Sequence, residues 1–194
     1  MEHLITKDSL KIFKDNKEYL LNDSIKLLGF NNSSKIFKGF KEYDFTTGIL
    51  YLQPSTYIAK KTLCPMSIVA GCKDPCLKGS GRLGMTKSQM AMTRRTIQYL
   101  KDPDSFKERL RQEILKGEKN NYCIRLNGTS DIDWSDLIES LPNIQFYDYS
   151  KVLKRIIKNQ IPNYHLTYSA SFNNTMSINF IKEAVRSGVN TAIA

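Results

Sequence analysis

Three cysteines fall within thirteen residues, Cys64, Cys72 and Cys76, in the spacing C-x7-C-x3-C. Pro65, Gly71 and Pro75 lie among them and favour turns, so the thiols can converge on one ion or cluster without a long ordered segment. The chemistry such a set offers is soft-metal ligation. Three thiolates leave a four-iron cluster with one iron open to a substrate, or a zinc ion with one position open to water or a further ligand. An iron–sulfur cluster is the cofactor expected first, and zinc is the alternative. A closed structural zinc knot completed by His165 is a third reading. The spacing is not the paired C-x2-C of a zinc ribbon.

Other residue groups can complete a site. Asn127, Gly128, Thr129, Ser130 and Asp131 form one run that can offer backbone amides, two hydroxyls and a carboxylate to a polar cofactor. The same run reads as a turn followed by a helix cap at Asp131 or Asp133. Asp148 and Lys151 can orient a substrate or transfer a proton, or simply pair as ions at a helix start. His165, one of two histidines, can act as an acid or base or as a fourth metal ligand, and can equally be a hydrogen-bonded core residue. Cys123 lies inside an apolar run and is expected to be a buried hydrophobe.

What must position these residues is a β-α alternation. The run 46–54 is β-rich and closed by proline, and the cysteine loop follows it. Met90, Thr93, Ile97 and Leu100 share one helical face, and Phe106, Leu110 and Ile114 recur at four-residue spacing before Gly117. Further strands are expected at 122–127, 144–148, 164–169 and after Gly188, with helices at 134–141, 151–158 and 177–187. Helical crossovers between strands imply parallel pairing. The expected fold class is α/β, either a partial (β/α) barrel or an open, mainly parallel sheet of about five strands. Short helices in residues 1–34 form an N-terminal appendage, and residues 35–194 form the α/β domain. The chain stops inside its last apolar strand, so truncation at the C-terminus or an incomplete barrel is expected. Because strand carboxyl ends face the ligand in such folds, the cysteine loop, 127–131, 148–151 and His165 are expected around one mouth.

The 194 residues, 41% of them hydrophobic, can bury a core as one domain. Lys and Arg number 29 against 19 Asp and Glu, a net charge of +10 that suits contact with a nucleic acid through counterion release. The plainer reading is a solvated, solubilising surface, Arg94 and Arg95 included, because the basic residues are spread along the chain. No apolar run approaches the roughly 20 residues that span a bilayer, and no signal peptide is evident, so no membrane partner is expected. The protein reads as cytoplasmic, where thiols stay reduced and a close cysteine set is more often metal-binding or catalytic than disulfide-bonded.

Several strings carry a resemblance in combination: Thr47-Gly-Ile-Leu-Tyr-Leu, Cys64-Pro, Gly71-Cys, Cys76-Leu, Arg125-Leu-Asn-Gly-Thr-Ser-Asp-Ile, Phe146-Tyr-Asp-Tyr-Ser-Lys151 and Asn163-Tyr-His-Leu-Thr. Over residues 33–194 the chain resembles a family of uncharacterised tailed-phage and prophage proteins related to the phage gene product 88 domain. That resemblance implies a host-cytoplasm location and no particular activity. Members of the family run on past the strand where this chain ends. A more distant similarity of layout is to radical S-adenosylmethionine enzymes, which place three cysteines after the first strand of a partial barrel and a glycine-rich acidic motif after the second. It implies that Cys64, Cys72 and Cys76 hold the cluster while Gly128, Thr129 and Asp131 approach the methionyl part of S-adenosylmethionine. The cysteine spacing departs from the C-x3-C-x2-C of those enzymes, and no Gly-Gly-Glu string is present. The function expected is radical or metal-assisted chemistry on a small molecule or nucleotide. The alternative is a basic nucleic-acid-binding accessory protein with a structural zinc.

Overall fold

Apolar spacing alternates between the helical and the extended period along the chain, and the elements follow it. The computed structural model describes residues 2–30, 38, 41–42, 46–117, 122–172 and 175–193. Two N-terminal helices, α1 (Lys7–Asp15) and α2 (Lys17–Leu21), precede strands β1 (Leu28–Phe30) and β2 (Thr46–Leu50). The cysteine loop then leads through short 3-10 turns at Leu77–Gly79 and Gly81–Gly84 into α3 (Thr86–Lys101) and α4 (Pro103–Gly117). Proline opens α4, where a missing N–H costs nothing, and the Asp102 carboxylate accepts the Ser105 N–H at 3.0 Å. There follow β3 (Tyr122–Arg125), α5 (Ser135–Glu139), β4 (Gln145–Ser150), α6 (Leu153–Lys158), β5 (Tyr164–Ser169), α7 (Thr175–Arg186) and β6 (Thr191–Ala192).

The strands form one open six-stranded sheet in sequential order, β1 to β6, with β1 antiparallel to β2 and every later pair parallel. It is not a closed barrel. The strand beyond the five expected is β1, which comes from the segment assigned to the N-terminal appendage. Leu28 aligns with Leu50 and lies in the main core, so the sheet begins before residue 34.

Sequential parallel strands joined by crossovers of one hand set their helices on one face. Phe106, Leu110 and Ile114 of α4, Leu137 and Ile138 of α5, Leu153 and Ile156 of α6 and Ala184 of α7 share one core with Leu50, Ile124, Phe146, Leu166 and Tyr168 of the strands. Alternate strand positions, Arg125, Tyr147, Tyr149, His165 and Thr167, fall outside that core on the other face, and Tyr149 and His165 are exposed there.

The N-terminal helices pack on α3 through a smaller core of Ile5, Phe13, Leu20, Ile58 and Ile97. Here the expectation of a solvated Arg94 is overturned. Arg94 is 1% exposed, and its guanidinium donates to the carbonyls of Asn22 (3.2 Å), Ile25 (3.2 Å) and Lys26 (2.8 Å) and to Gln98 Oε1 (3.3 Å). The chain between α2 and β1 has no ladder partners, so its carbonyls need a donor, and Arg94 brings several at once. Arg95 is half-buried, with its Nε sealed from solvent.

Candidate functional site

The cysteine loop is tied to the carboxyl end of β3. Asp131 N–H donates to Leu63 O at 2.9 Å, and the Cys64 thiol donates to Thr129 O at 3.6 Å. Ser55, with φ of 49°, reverses the chain after β2, so that Leu63 N–H returns to Ser55 O at 3.0 Å and Ser55 N–H reaches Cys64 Sγ at 3.3 Å. The loop then winds tightly: Ser67 N–H bonds Cys64 O, Ala70 N–H bonds Met66 O, and Cys72 N–H bonds Ser67 O. Gly71, at φ of 60°, takes the left-handed position that lets this coil close before Cys72. Tyr57 anchors the far side, donating to Lys73 O at 2.8 Å with Lys78 Nζ 3.2 Å from its ring centroid.

All three thiols are free and half-buried. Burial pushes Cys64 up to about 12, the Ser55 N–H works against this, and the charges of Asp131, Cys76 and Cys72 raise it further. Burial also raises Cys72; the Lys151 ammonium opposes, while Cys76 and Asp131 add to the rise. The loop is therefore folded so that the three thiols, Asp131 and Lys151 share one electrostatic neighbourhood where β2, β3 and β4 end. Among the described residues, no group of three or more His, Cys, Asp or Glu side chains is gathered so as to hold a metal ion. A tetrahedral zinc with bonds of about 2.3 Å needs sulfurs about 3.8 Å apart, whereas a cluster of several irons spreads its thiolates more widely. By type alone, three cysteine sulfurs are soft-metal donors.

The run 127–131 is brought to the same edge, with its side chains turned inward. Asn127 is 2% exposed and its Oδ1 accepts from Ser130 Oγ (3.1 Å), Ile132 N (2.9 Å) and Trp134 Nε1 (3.3 Å). Thr129 donates its hydroxyl to Leu52 O. The Asp131 carboxylate accepts from Ser150 Oγ (2.8 Å), Lys151 N (2.9 Å) and Arg155 Nη1 (2.7 Å). These polar side chains are thus engaged with the fold, tying the end of β3 to β4 and α6. The expected cap at Asp131 or Asp133 is not formed: the cap position of α5 is Trp134, with no side-chain cap bond, and the Asp133 carboxylate just before it accepts from Ser135 N (3.1 Å) and Ser135 Oγ (2.7 Å). At Gly128 a Cβ would meet Tyr51 Cδ1 at 2.6 Å, Leu50 O at 2.7 Å and Ile49 Cγ2 at 2.8 Å, so only glycine lets β2 and the end of β3 approach this closely.

Asp148 and Lys151 are not brought together. Asp148 is 1% exposed and accepts from Asn127 N (2.8 Å), Asn127 Nδ2 (3.3 Å) and Tyr164 Oη (3.1 Å), with Arg125 Nε 3.9 Å away. Burial pushes its carboxyl up to about 7 against those donors, and burial together with Asp148 raises Tyr164. Lys151 Nζ donates to Ser169 O at 2.9 Å, bridging the ends of β4 and β5 beside the thiols. His165 is the second residue of β5, about 13 Å up-strand of its carboxyl end at ~3.3 Å per residue. It lies exposed on the uncovered face with Nε2 3.0 Å from Asn190 Nδ2. Cys123 is 3% exposed, as its apolar run implies.

Sequence reasoning missed Arg95, Arg125 and Tyr51 near this edge. Tyr51 is half-buried beside Gly128, and the arginine charges oppose the rise that burial imposes on its phenol. Tyr51 and Arg125 stand within the strings that carry the family resemblance, but local spacing does not relate them to Arg95, which α3 supplies from 30 residues before Arg125.

A family model described as gene product 88 matches residues 25–194. No match was found among the curated proteins or among the solved structures. No helix among the described residues is long and apolar enough to cross a membrane.

Proposed function

We propose that this chain, which belongs to the gene product 88 family, uses Cys64, Cys72 and Cys76 to hold an iron–sulfur cluster for chemistry on a small molecule or nucleotide. What supports the reading is that three free thiols share one loop at the carboxyl end of the sheet, where burial, Cys76 and Asp131 raise and Lys151 lowers the pKa of Cys72. In parallel α/β sheets that edge is where ligands bind. A three-thiolate cluster, when bound, supplies an iron open to substrate and a route for single electrons.

The chain's own residues have separate tasks. A nearby cation would offset the burial and negative charge that hold Cys64 as a thiol, so metal loading and ionisation of Cys64 go together. Lys151, fixed by Ser169, keeps a positive charge beside Cys72 and favours its thiolate. Arg155 neutralises Asp131 at 2.7 Å, limiting the repulsion between that carboxylate and the thiolates. The side chains of Thr129, Ser130 and Asp131 are occupied within the fold, and the Gly128 N–H is taken by Leu50 O, so these groups do not support S-adenosylmethionine as the partner of the cluster. The test is metal content after anaerobic purification of the wild type beside Cys64→Ala, Cys72→Ala and Cys76→Ala. Loss of iron in each variant supports the reading. Equal iron in all four proteins, or none in the wild type, refutes it.

A second reading, a nucleic-acid-binding accessory protein with a structural zinc, draws on the uncovered sheet face. There Tyr149 is 43% exposed and Arg125 Cζ lies 5.1 Å from its ring centroid, a pair on which a base can stack. One zinc per chain with salt-sensitive oligonucleotide binding would favour it.

A further inference from the structure

We propose that Arg95 and Arg125, converging on Tyr51 beyond the end of β2, form a binding site for the phosphate group of a small ligand. Both Nε atoms are sealed from solvent and have no hydrogen-bond partner. Native folds pair most of their buried polar groups, so two such donors, both within electrostatic reach of Tyr51, call for an acceptor from outside the chain. Arg94 makes the contrast: its Nε is also unpaired, yet its Nη atoms are engaged by three carbonyls and Gln98, which gives it a structural task. Among the described residues, neither the Arg95 nor the Arg125 Nε finds a hydrogen-bond partner, and Arg125 Nε has Asp148 only at 3.9 Å.

The surrounding charge leaves room for an anion. Burial and the neighbouring Arg94 hold Arg95 down at about 10, the condition of a cation without a close counter-ion. Glu113 lies within electrostatic reach of Arg95, but its two carboxylate oxygens accept the N–H groups of Leu27 and Leu28, each at 2.8 Å. Asp148 stands 3.9 Å from Arg125 Nε and is taken up by Asn127 and Tyr164. Guanidinium forks match tetrahedral oxyanions through paired hydrogen bonds, and two of them with a phenol donor suit a phosphate, with its charge of about −1.5 to −2, better than a single carboxylate.

Position ties this site to the proposed function, which it extends by naming the ligand's anionic group. Tyr51 presses on Gly128, and the next residue, Thr129, accepts the Cys64 thiol through its carbonyl. A ligand anchored by phosphate at Tyr51 therefore reaches the thiol-lined edge one residue away. Tyr149, whose ring centroid lies 5.1 Å from Arg125 Cζ, offers an exposed ring against which a planar portion of the same ligand can lie.

The test is calorimetric titration of the full chain with inorganic phosphate, then adenosine monophosphate, then an oligothymidine. The proposal expects saturable phosphate binding, tighter for the nucleotide, and weakened about tenfold or more in Arg95→Gln and in Arg125→Gln, the loss of a charge-assisted hydrogen-bond pair. Arg82→Gln, at an exposed position, should bind like the wild type. Arg95→Lys keeps the charge and should fall between the wild type and Arg95→Gln, which guards against a variant that merely misfolds. Equal affinity in all variants, or no saturable heat in the wild type at millimolar phosphate, overturns the proposal. Oligothymidine binding tighter than the nucleotide and steeply salt-dependent overturns its small-ligand half. None of these titrations needs a metal, so their failure and the failure of the cluster reading are seen separately.

Discussion

The Cys64 thiol offers a quantitative test of how the cysteine loop is built. Its sulfur is largely buried, faces Thr129 O, and has its ionisation pushed up to about 12 by burial and by the charges of Asp131, Cys76 and Cys72. At pH 8 an ordinary cysteine, with a pKa of about 8.5, is roughly one quarter thiolate, whereas Cys64 is about one part in ten thousand. The ratio is about 2,000. The more basic thiolate is also the stronger nucleophile, and a Brønsted slope of about 0.4–0.5 restores roughly 25- to 55-fold. The net expectation is that Cys64 attacks a small aromatic disulfide about fiftyfold more slowly than an ordinary thiol, before any steric hindrance is added. The measurement is the pH dependence of modification at each cysteine, read by peptide mass spectrometry on reduced, chelator-treated protein. The Cys64 rate should climb about tenfold per pH unit beyond pH 10 without levelling. A rate matching that of a free thiol, with an inflection near 8 to 9, would show that burial and charge at this loop have been misread.

Three further perturbations probe the supports of the site. Gly128→Ala places a methyl 2.7 Å from the Leu50 carbonyl, an obstacle that cannot rotate away, and should cost about 1–3 kcal/mol in denaturant unfolding; unchanged stability would mean that β2 and β3 are less tightly apposed. Arg94→Met removes the donors to the Ile25 and Lys26 carbonyls, while Asn22 keeps Gln98 as a partner at 2.7 Å, so a loss of about 3 kcal/mol and faster proteolysis before β1 are expected. Wild-type stability in Arg94→Met would contradict the clamp. Asp148 binds a proton in the folded state up to about pH 7 but releases it near 3.9 when unfolded, so the folded state holds the extra proton between those values. Stability should therefore fall as pH rises from 5 to 7, by up to about 4 kcal/mol over the whole interval from 3.9, and Asp148→Asn should flatten the profile. Stability rising through that window is the opposite sign.

The alternation of strands and helices was legible because each element carries its own period: Phe106, Leu110 and Ile114 face the core as their spacing predicts, and Tyr164, Leu166 and Tyr168 alternate with outward residues. Strand β1 was not, since three residues are too few to establish a period and Leu27-Leu28 fits a helix as well. The gathering of the cysteine loop, 127–131 and Lys151 at one edge followed from the parallel topology alone. What topology does not convey is which way a polar side chain turns at that edge. Asn127 and Asp148 bond each other across 21 residues, Asp131 is saturated by Ser150, Lys151 and Arg155, and His165 turns to the open face. Arg94 and Arg95 look solvated in the sequence because arginine usually is; the carbonyls that bury Arg94 lie about 70 residues away, beyond any local pattern.

Iron, labile sulfide and the ultraviolet–visible spectrum of protein purified without oxygen test the central claim most directly. The account predicts iron with stoichiometric sulfide and a broad absorption at about 400 nm that disappears in Cys72→Ala. One zinc and no iron, or no metal with a spectrum featureless in the visible, would contradict it.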